Sequence, residues 1–228
     1  MSSFLHSGDM GDLIYALASI EALGGGDLYL TTRSDTRTPM SKETLEFLRP
    51  LLENQPYIRK VQIHLSETIK YDFTEFRKSK KGRNLAEWQA DYIGSRIDVK
   101  RPWLTVPSNL GLSIINRSMR YRNPIWDEIW PLMLANRKNA VFVGLEEEHQ
   151  DFVSRYGPIH HEKVENALQL AVLIASAPIF IGNQSFPYSI AEAVKTNRIQ
   201  ESYPDNPDCI FEKENSKYIL KYSDLTSP

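Results

Sequence analysis

The sequence predicts an α/β protein of two similar halves, each a parallel sheet covered by helices. Three observations carry this. Short apolar runs alternate with helical periodicity along the whole chain. Glycines and capping residues recur where a strand would pass into a helix. An extended segment holding Pro102 and Pro107 breaks the series near its middle. The chain has 228 residues, 41% of them hydrophobic and 25% charged, which suits one large domain or two small ones and excludes disorder. Lysine and arginine number 27 against 29 aspartates and glutamates, a net charge of −2. That argues against a nucleic-acid partner held by bulk charge.

In the first half, residues 3–6 read as a strand and 8–11 as a turn. Residues 12–23 then read as a helix, with Leu13, Ala16, Leu17 and Ile20 on one face. Gly24, Gly25 and Gly26 end it. Residues 27–32 read as a strand, 42–53 as a helix, 61–64 as a strand and 82–94 as a helix. In the second half, strands are expected at 112–115, 140–143, 179–181 and 198–200, and helices at 126–136, 146–156, 164–176 and 186–195. Trp126 and Trp130, at i and i+4, are core positions. The tail from 204 to 228 is polar and turn-rich, and the basic run from Lys78 to Arg83 reads as a solvated loop. The expected architecture is two small Rossmann-like halves facing each other across a cleft. The halves are expected at residues 1–107 and 108–228, the second including the tail, with residues 101–107 as the hinge.

The single cysteine, Cys209, excludes an intramolecular disulfide and is expected half-buried. The first residues lack a basic region followed by an apolar one, so no signal peptide is expected. The most apolar stretch, 168–181, is too short to span a bilayer and contains Pro178. The expectation is a cytoplasmic protein without a membrane span. No D-x-D occurs, and His160 and His161 lack metal-ligand spacing and read as surface, so no metal site is expected.

Four segments carry candidate chemistry. The first runs Gly8, Asp9, Met10, Gly11, Asp12, between a strand and a helix. Glycines there let a backbone approach a ligand, and helix N-terminal amides suit phosphate. The spacing is not that of the dinucleotide fingerprint. An aspartate at this place accepts a proton from a hydroxyl or simply caps the helix. The second segment holds Arg117, Arg120 and Arg122 after a strand, where open α/β sheets bind ligands. Guanidinium forks match phosphate oxygens, though three in one loop cannot all point the same way. The third is Gly182, Asn183, Gln184, Ser185, Phe186, running into a helix with Pro187 in its first turn and Glu192 further on. It suits a diphosphate at the helix start, with Glu192 as a ribose acceptor; otherwise it is a well-capped helix. The fourth is Gly144, followed by three glutamates that complement a helix dipole.

Taken together and in this order, these segments resemble the ADP-heptose:lipopolysaccharide heptosyltransferase family and its compact phage and bacterial relatives, of the GT-B glycosyltransferase class. The resemblance rests mainly on residues 8–20 and 180–194. Where the family has Asp-Thr-Gly in its donor segment this chain has Gln184, Ser185 and Phe186, and one of Arg117, Arg120 or Arg122 stands in for its lysine. The resemblance implies a metal-independent transferase with no cofactor, whose nucleotide-sugar is a substrate. Asp12 would be the catalytic base. The donor would contact Arg117, Arg120, Arg122, Gly144, Asn183, Gln184, Ser185, Phe186 and Glu192. The acceptor, a bacterial or phage glycan or another hydroxyl compound, would meet Gly8 to Gly11. Two other readings stay open: a non-catalytic module binding a nucleotide or nucleotide-sugar, and a transferase acting on modified DNA.

Overall fold

The computed structural model describes residues 2–32, 40–79, 82–135, 137, 139–211 and 215–226. Lys80 and Lys81 of the basic run, and Asn136 at the expected helix end, lie outside them. The first half holds strands β1 (Ser3–His6), β2 (Gly26–Leu30), β3 (Ile58–Ile63) and β4 (Tyr71–Asp72). They form a wholly parallel sheet in the order β3-β2-β1-β4. Its helices are α1 (Met10–Ala22), α2 (Lys42–Glu53) and α3 (Leu85–Ile93). Strands in register from Ser3 opposite Asp27 to His6 opposite Leu30 place Phe4, Leu28 and Leu30 in the core.

The second half holds β5 (Ile114–Asn116), β6 (Val141–Phe142), β7 (His160–His161), β8 (Phe180–Asn183), β9 (Arg198–Glu201) and β10 (Ser216–Ile219). They too are all parallel, in the order β10-β9-β8-β5-β6-β7. Its helices are α4 (Trp126–Leu134), α5 (Glu146–Tyr156), α6 (Ala167–Ser176) and α7 (Phe186–Val194). Trp126 and Trp130 are fully buried and pack with Phe142 and Phe152 in a separate core cluster. Each sheet reverses its strand order once, between β1 and β4 and between β5 and β8. Ligands of open parallel sheets bind beyond the carboxyl ends of strands at such a point.

Three expectations change. Helix α1 starts at Met10, two residues earlier than expected, so Met10 and Gly11 are helical and Asp12 lies in the first turn. The polar tail supplies a strand, β10, and buries Cys209 and Phe211. Residues 101–107 are no free hinge. Trp103 and Leu104 are buried, Trp103 N–H donates to Ala193 O at 3.0 Å, and its indole N–H donates to Ile14 O at 2.9 Å. Tryptophan here pins the crossing segment to both halves. Helix α1 packs on α7 and α2 on α6, and one core cluster contains Leu13 and Leu17 together with Ile190 and Ala193. Among the described residues, no helix is long and apolar enough to cross a membrane.

Candidate active site

The loops at the two switch points face each other. From the first half, β1 ends at His6 and the chain turns through Gly8, whose φ of +133° favours glycine. A Cβ at Gly8 would sit 3.4 Å from Asp12 Oδ2, and Gly8 is not among the residues that line the cleft. Asp9 occupies the N-cap position without a capping side-chain bond, and Asp12 does not cap either. Asp12 Oδ1 and Oδ2 instead accept from Arg77 Nη2 at 2.9 and 2.8 Å. Arg77 comes from the segment after β4, on the other side of the switch point. Burial pushes the Asp12 carboxyl up to about 6, against the pull of the Arg77 guanidinium.

The backbone of Asp12 is anchored as well. Gln89 Nε2 on α3 donates to Asp12 O at 2.8 Å, and Gln89 Oε1 lies 3.2 Å from His6 Nε2. Burial holds His6 down at about 4, so it stays neutral and serves as a buried spacer. Strand β1 and helices α1 and α3 thus fix the carboxylate from behind.

From the second half, Ser185 caps α7. Its Oγ accepts from Tyr188 N–H at 3.3 Å and donates to Asn116 Oδ1 at 2.7 Å. Gly182, just before, sits so near β5 that a Cβ would meet Asn116 O at 2.6 Å. Asn183 is buried and shapes the arginine loop: its Oδ1 accepts from Ser118 N–H, and its Nδ2 donates to Ser118 O and Arg120 O. That loop carries Arg120 toward the first half, where its Nη1 lies 3.3 Å from Asp9 Oδ2. Gln184 holds the following loop through Tyr203 N–H and Asn206 O.

The two sets of residues meet in one cleft. Asp9, Met10, Gly11 and Asp12 line one wall, and Arg120, Gln184, Ser185 and Phe186 line the other. The enclosed volume is about 90 Å³, below the ~300–1,000 Å³ of sites that engulf a drug-sized ligand. Arg77, Tyr121 and Asp208 also line it, and none of these three was singled out in the sequence. Burial also raises the Asp208 carboxyl. Its backbone carbonyl accepts from Leu85 N–H across the halves at 2.9 Å. Asp208 lies in a tail read as polar and turn-rich, in which no residue stood out as a candidate.

Several expected donor contacts are placed elsewhere. Arg117 is buried, and its guanidinium donates to both oxygens of Glu201, to Asp127 and to the Tyr156 hydroxyl. An arginine directly at a strand end points under the loop, into the second-half core. Arg122 turns away to Asp151 at 2.7 Å. Glu192 is fully buried, bound to Arg198 at 2.7 Å, Lys195 at 2.6 Å and the Tyr218 hydroxyl at 3.2 Å, so it has no face for a ribose. Gly144 has a φ of +149° and lies beside Glu148 and Asn116, outside the cleft lining. His161 is not on the surface as expected: its side chain is 9% exposed, while His160 is 70% exposed.

No protein-family model matches the chain, and no curated protein matches it. Solved structures do. The E. coli heptosyltransferase WaaC, with ADP-2-deoxy-2-fluoro heptose, superposes with a TM-score of 0.54 at 9% identity, over 96% of this chain and 92% of that one. The glycosyl transferase family 9 protein of Veillonella parvula gives 0.60 at 8% identity, over 95% and 84%. The dodecameric iron-containing heptosyltransferase TibC, in complex with ADP-D-beta-D-heptose, gives 0.55 at 16% identity, over 94% and 61%. At these identities the likeness is one of fold. The chain has the two-Rossmann fold of these GT-B glycosyltransferases.

Proposed function

We propose that this chain is a metal-independent glycosyltransferase. It would move a sugar from a nucleotide-sugar donor to a hydroxyl acceptor, with Asp12 as the general base. One observation carries the reading. A buried carboxylate with a raised pKa shares a cleft with an arginine and a capped helix N-terminus from the opposite half.

The chemistry follows from these groups. Asp12, ionised above about pH 6, takes the proton of the acceptor hydroxyl as that oxygen bonds to the anomeric carbon. The bond from that carbon to the diphosphate breaks, and the nucleoside diphosphate leaves with the electron pair. The positive end of the α7 dipole and the Arg120 guanidinium line the cleft where that charge would develop. These groups perform the neutralisation that a metal performs elsewhere. Arg77 holds Asp12 in its charged form and in place. A single displacement of this kind inverts the anomeric centre. The solved neighbours named for heptose transfer support a glycan hydroxyl as the acceptor. The lone buried cysteine suits a reducing, cytoplasmic setting.

The test is Asp12→Asn, assayed by release of nucleoside diphosphate from a nucleotide-sugar, with water or a glycan as acceptor. Release should fall about 100-fold or more, the usual contribution of a general base, while donor affinity is kept. A variant that turns over at the wild-type rate contradicts the assignment.

A further inference from the structure

Away from the cleft, at the edge of the second sheet, three metal-ligand side chains converge. Glu146 and His149 lie at i and i+3 in the first turns of α5, and His161 ends the edge strand β7. One carboxylate oxygen and one nitrogen of each ring lie within 4.8 Å of one another. The rings stack, with centroids 4.4 Å apart and planes 18° apart. None of the three lines the cleft.

The hydrogen bonds of the rings fix which nitrogens are free. His149 Nε2 lies 2.9 Å from Ile159 O, and His161 Nε2 lies 3.0 Å from Gly144 O. A carbonyl oxygen only accepts, so each Nε2 carries a proton and each neutral ring keeps its lone pair on Nδ1. Metal-binding histidines are commonly oriented in this way, by a backbone carbonyl on the other nitrogen. His161 Nδ1 is buried and has no hydrogen-bond partner. Glu146 Oε2 lies 3.5 Å from it. A buried nitrogen without a hydrogen-bond partner is costly until something binds it, and beside a carboxylate that is a proton or a metal cation. Lys163 Nζ lies 3.1 Å from the same Oε2, and Gln150 Nε2 donates to Oε1 at 3.2 Å, so a metal ion at Oε2 would have to displace the exposed Lys163.

We propose that Glu146, His149 and His161 bind a divalent transition-metal ion of the Zn²⁺ class. Imidazole and carboxylate ligands suit zinc, and three protein ligands leave a fourth position for water. Zinc bonds of ~2.1 Å bring tetrahedral ligand atoms to about 3.4 Å apart, so on binding Glu146 must swing in and the two stacked rings must turn to aim their lone pairs at one ion. The ion ties the two-residue strand β7 to α5, where the sheet ends and backbone pairing is least.

The sequence carries a signal for this site, since the Glu-x-x-His spacing puts both residues on one helix face. The adjacent pair His160 and His161 hid it, because only the second ring turns inward.

The experiment titrates the full chain with Co²⁺, and separately with Zn²⁺ as competitor. The wild type should show the intense visible bands of four-coordinate Co²⁺, abolished by Zn²⁺, and Zn²⁺ should raise its melting temperature. His161→Ala and His149→Ala should each weaken Co²⁺ binding at least about tenfold, while His160→Ala leaves it unchanged. A crystal soaked in Zn²⁺ should give an anomalous peak between the three residues, which tests the site without any variant. Absence of the Co²⁺ bands, an anomalous peak only elsewhere, or equal binding by His161→Ala and His160→Ala overturns the proposal.

Discussion

Asp12 sits between two opposing effects, and their balance is measurable. Burial outweighs the Arg77 pair, so its carboxyl titrates near 6 rather than at its ordinary value of 3.8. The folded state therefore binds a proton between pH 4 and pH 6 that the unfolded chain has lost. Stability from this group is full below pH 4 and is lost as pH rises through 6. Asp12→Asn should thus stabilise the fold at pH 8, by on the order of 2–3 kcal/mol, and have little effect at pH 4. Denaturant unfolding of both proteins at the two pH values checks this; a difference independent of pH contradicts it. His6 behaves in the opposite sense. Its pKa is depressed to about 4, so its contribution is full above 6.5 and lost as pH falls through 4. On the proposed function, Asp12 would give up stability at working pH in exchange for a carboxylate able to take a proton. The sequence made Asp12 legible because strand, glycine turn and helix are local. Arg77 was not legible. It lies 65 residues away and arrives through a parallel strand pair that no local pattern reveals.

At the scale of elements, the second half is held by ion pairs that local reading took for ligand contacts. Glu192 on α7 reaches Arg198 on β9, and Arg117 after β5 reaches Glu201 at the end of β9. Helical periodicity shows that Glu192 shares a face with apolar residues, but not that a cation waits beneath it. Removing one partner of a buried pair leaves the other charge uncompensated. Glu192→Gln should cost about 3–5 kcal/mol, read as a lower melting temperature, with donor affinity unchanged in the fraction that folds. A variant of unaltered stability with a weakened donor would return Glu192 to the ligand side. The strands absent from the sequence reading have a common cause. Strands β4 and β7 have two residues each, and β10 carries Lys217 and sits at a sheet edge, so none shows a clear period of two.

At the scale of the molecule, the two-half architecture was legible from strand–helix alternation, but the packing between the halves was not. Helices α1 and α7 share one core, and Trp103 is bound to both halves. The cleft is narrow, and Arg120 and Asp9 bridge its mouth at 3.3 Å. On the proposed function, a donor diphosphate would take Arg120 from Asp9 as it enters, and this arginine would serve binding rather than stability. Arg120→Ala should weaken donor binding about 10- to 100-fold, as loss of a charge-assisted bond does, without lowering the melting temperature of the free protein.

The most direct test of the account is a melting-temperature series against ADP-, UDP-, GDP- and CMP-sugars, run on the wild type and on Arg120→Ala. A ligand bound only by the folded chain raises its melting point, and the rise grows with the logarithm of ligand concentration over Kd. The account predicts a clear rise with one nucleotide class in the wild type, and its loss in the variant. No rise with any of them, or a rise that the variant keeps in full, would contradict a donor site in this cleft.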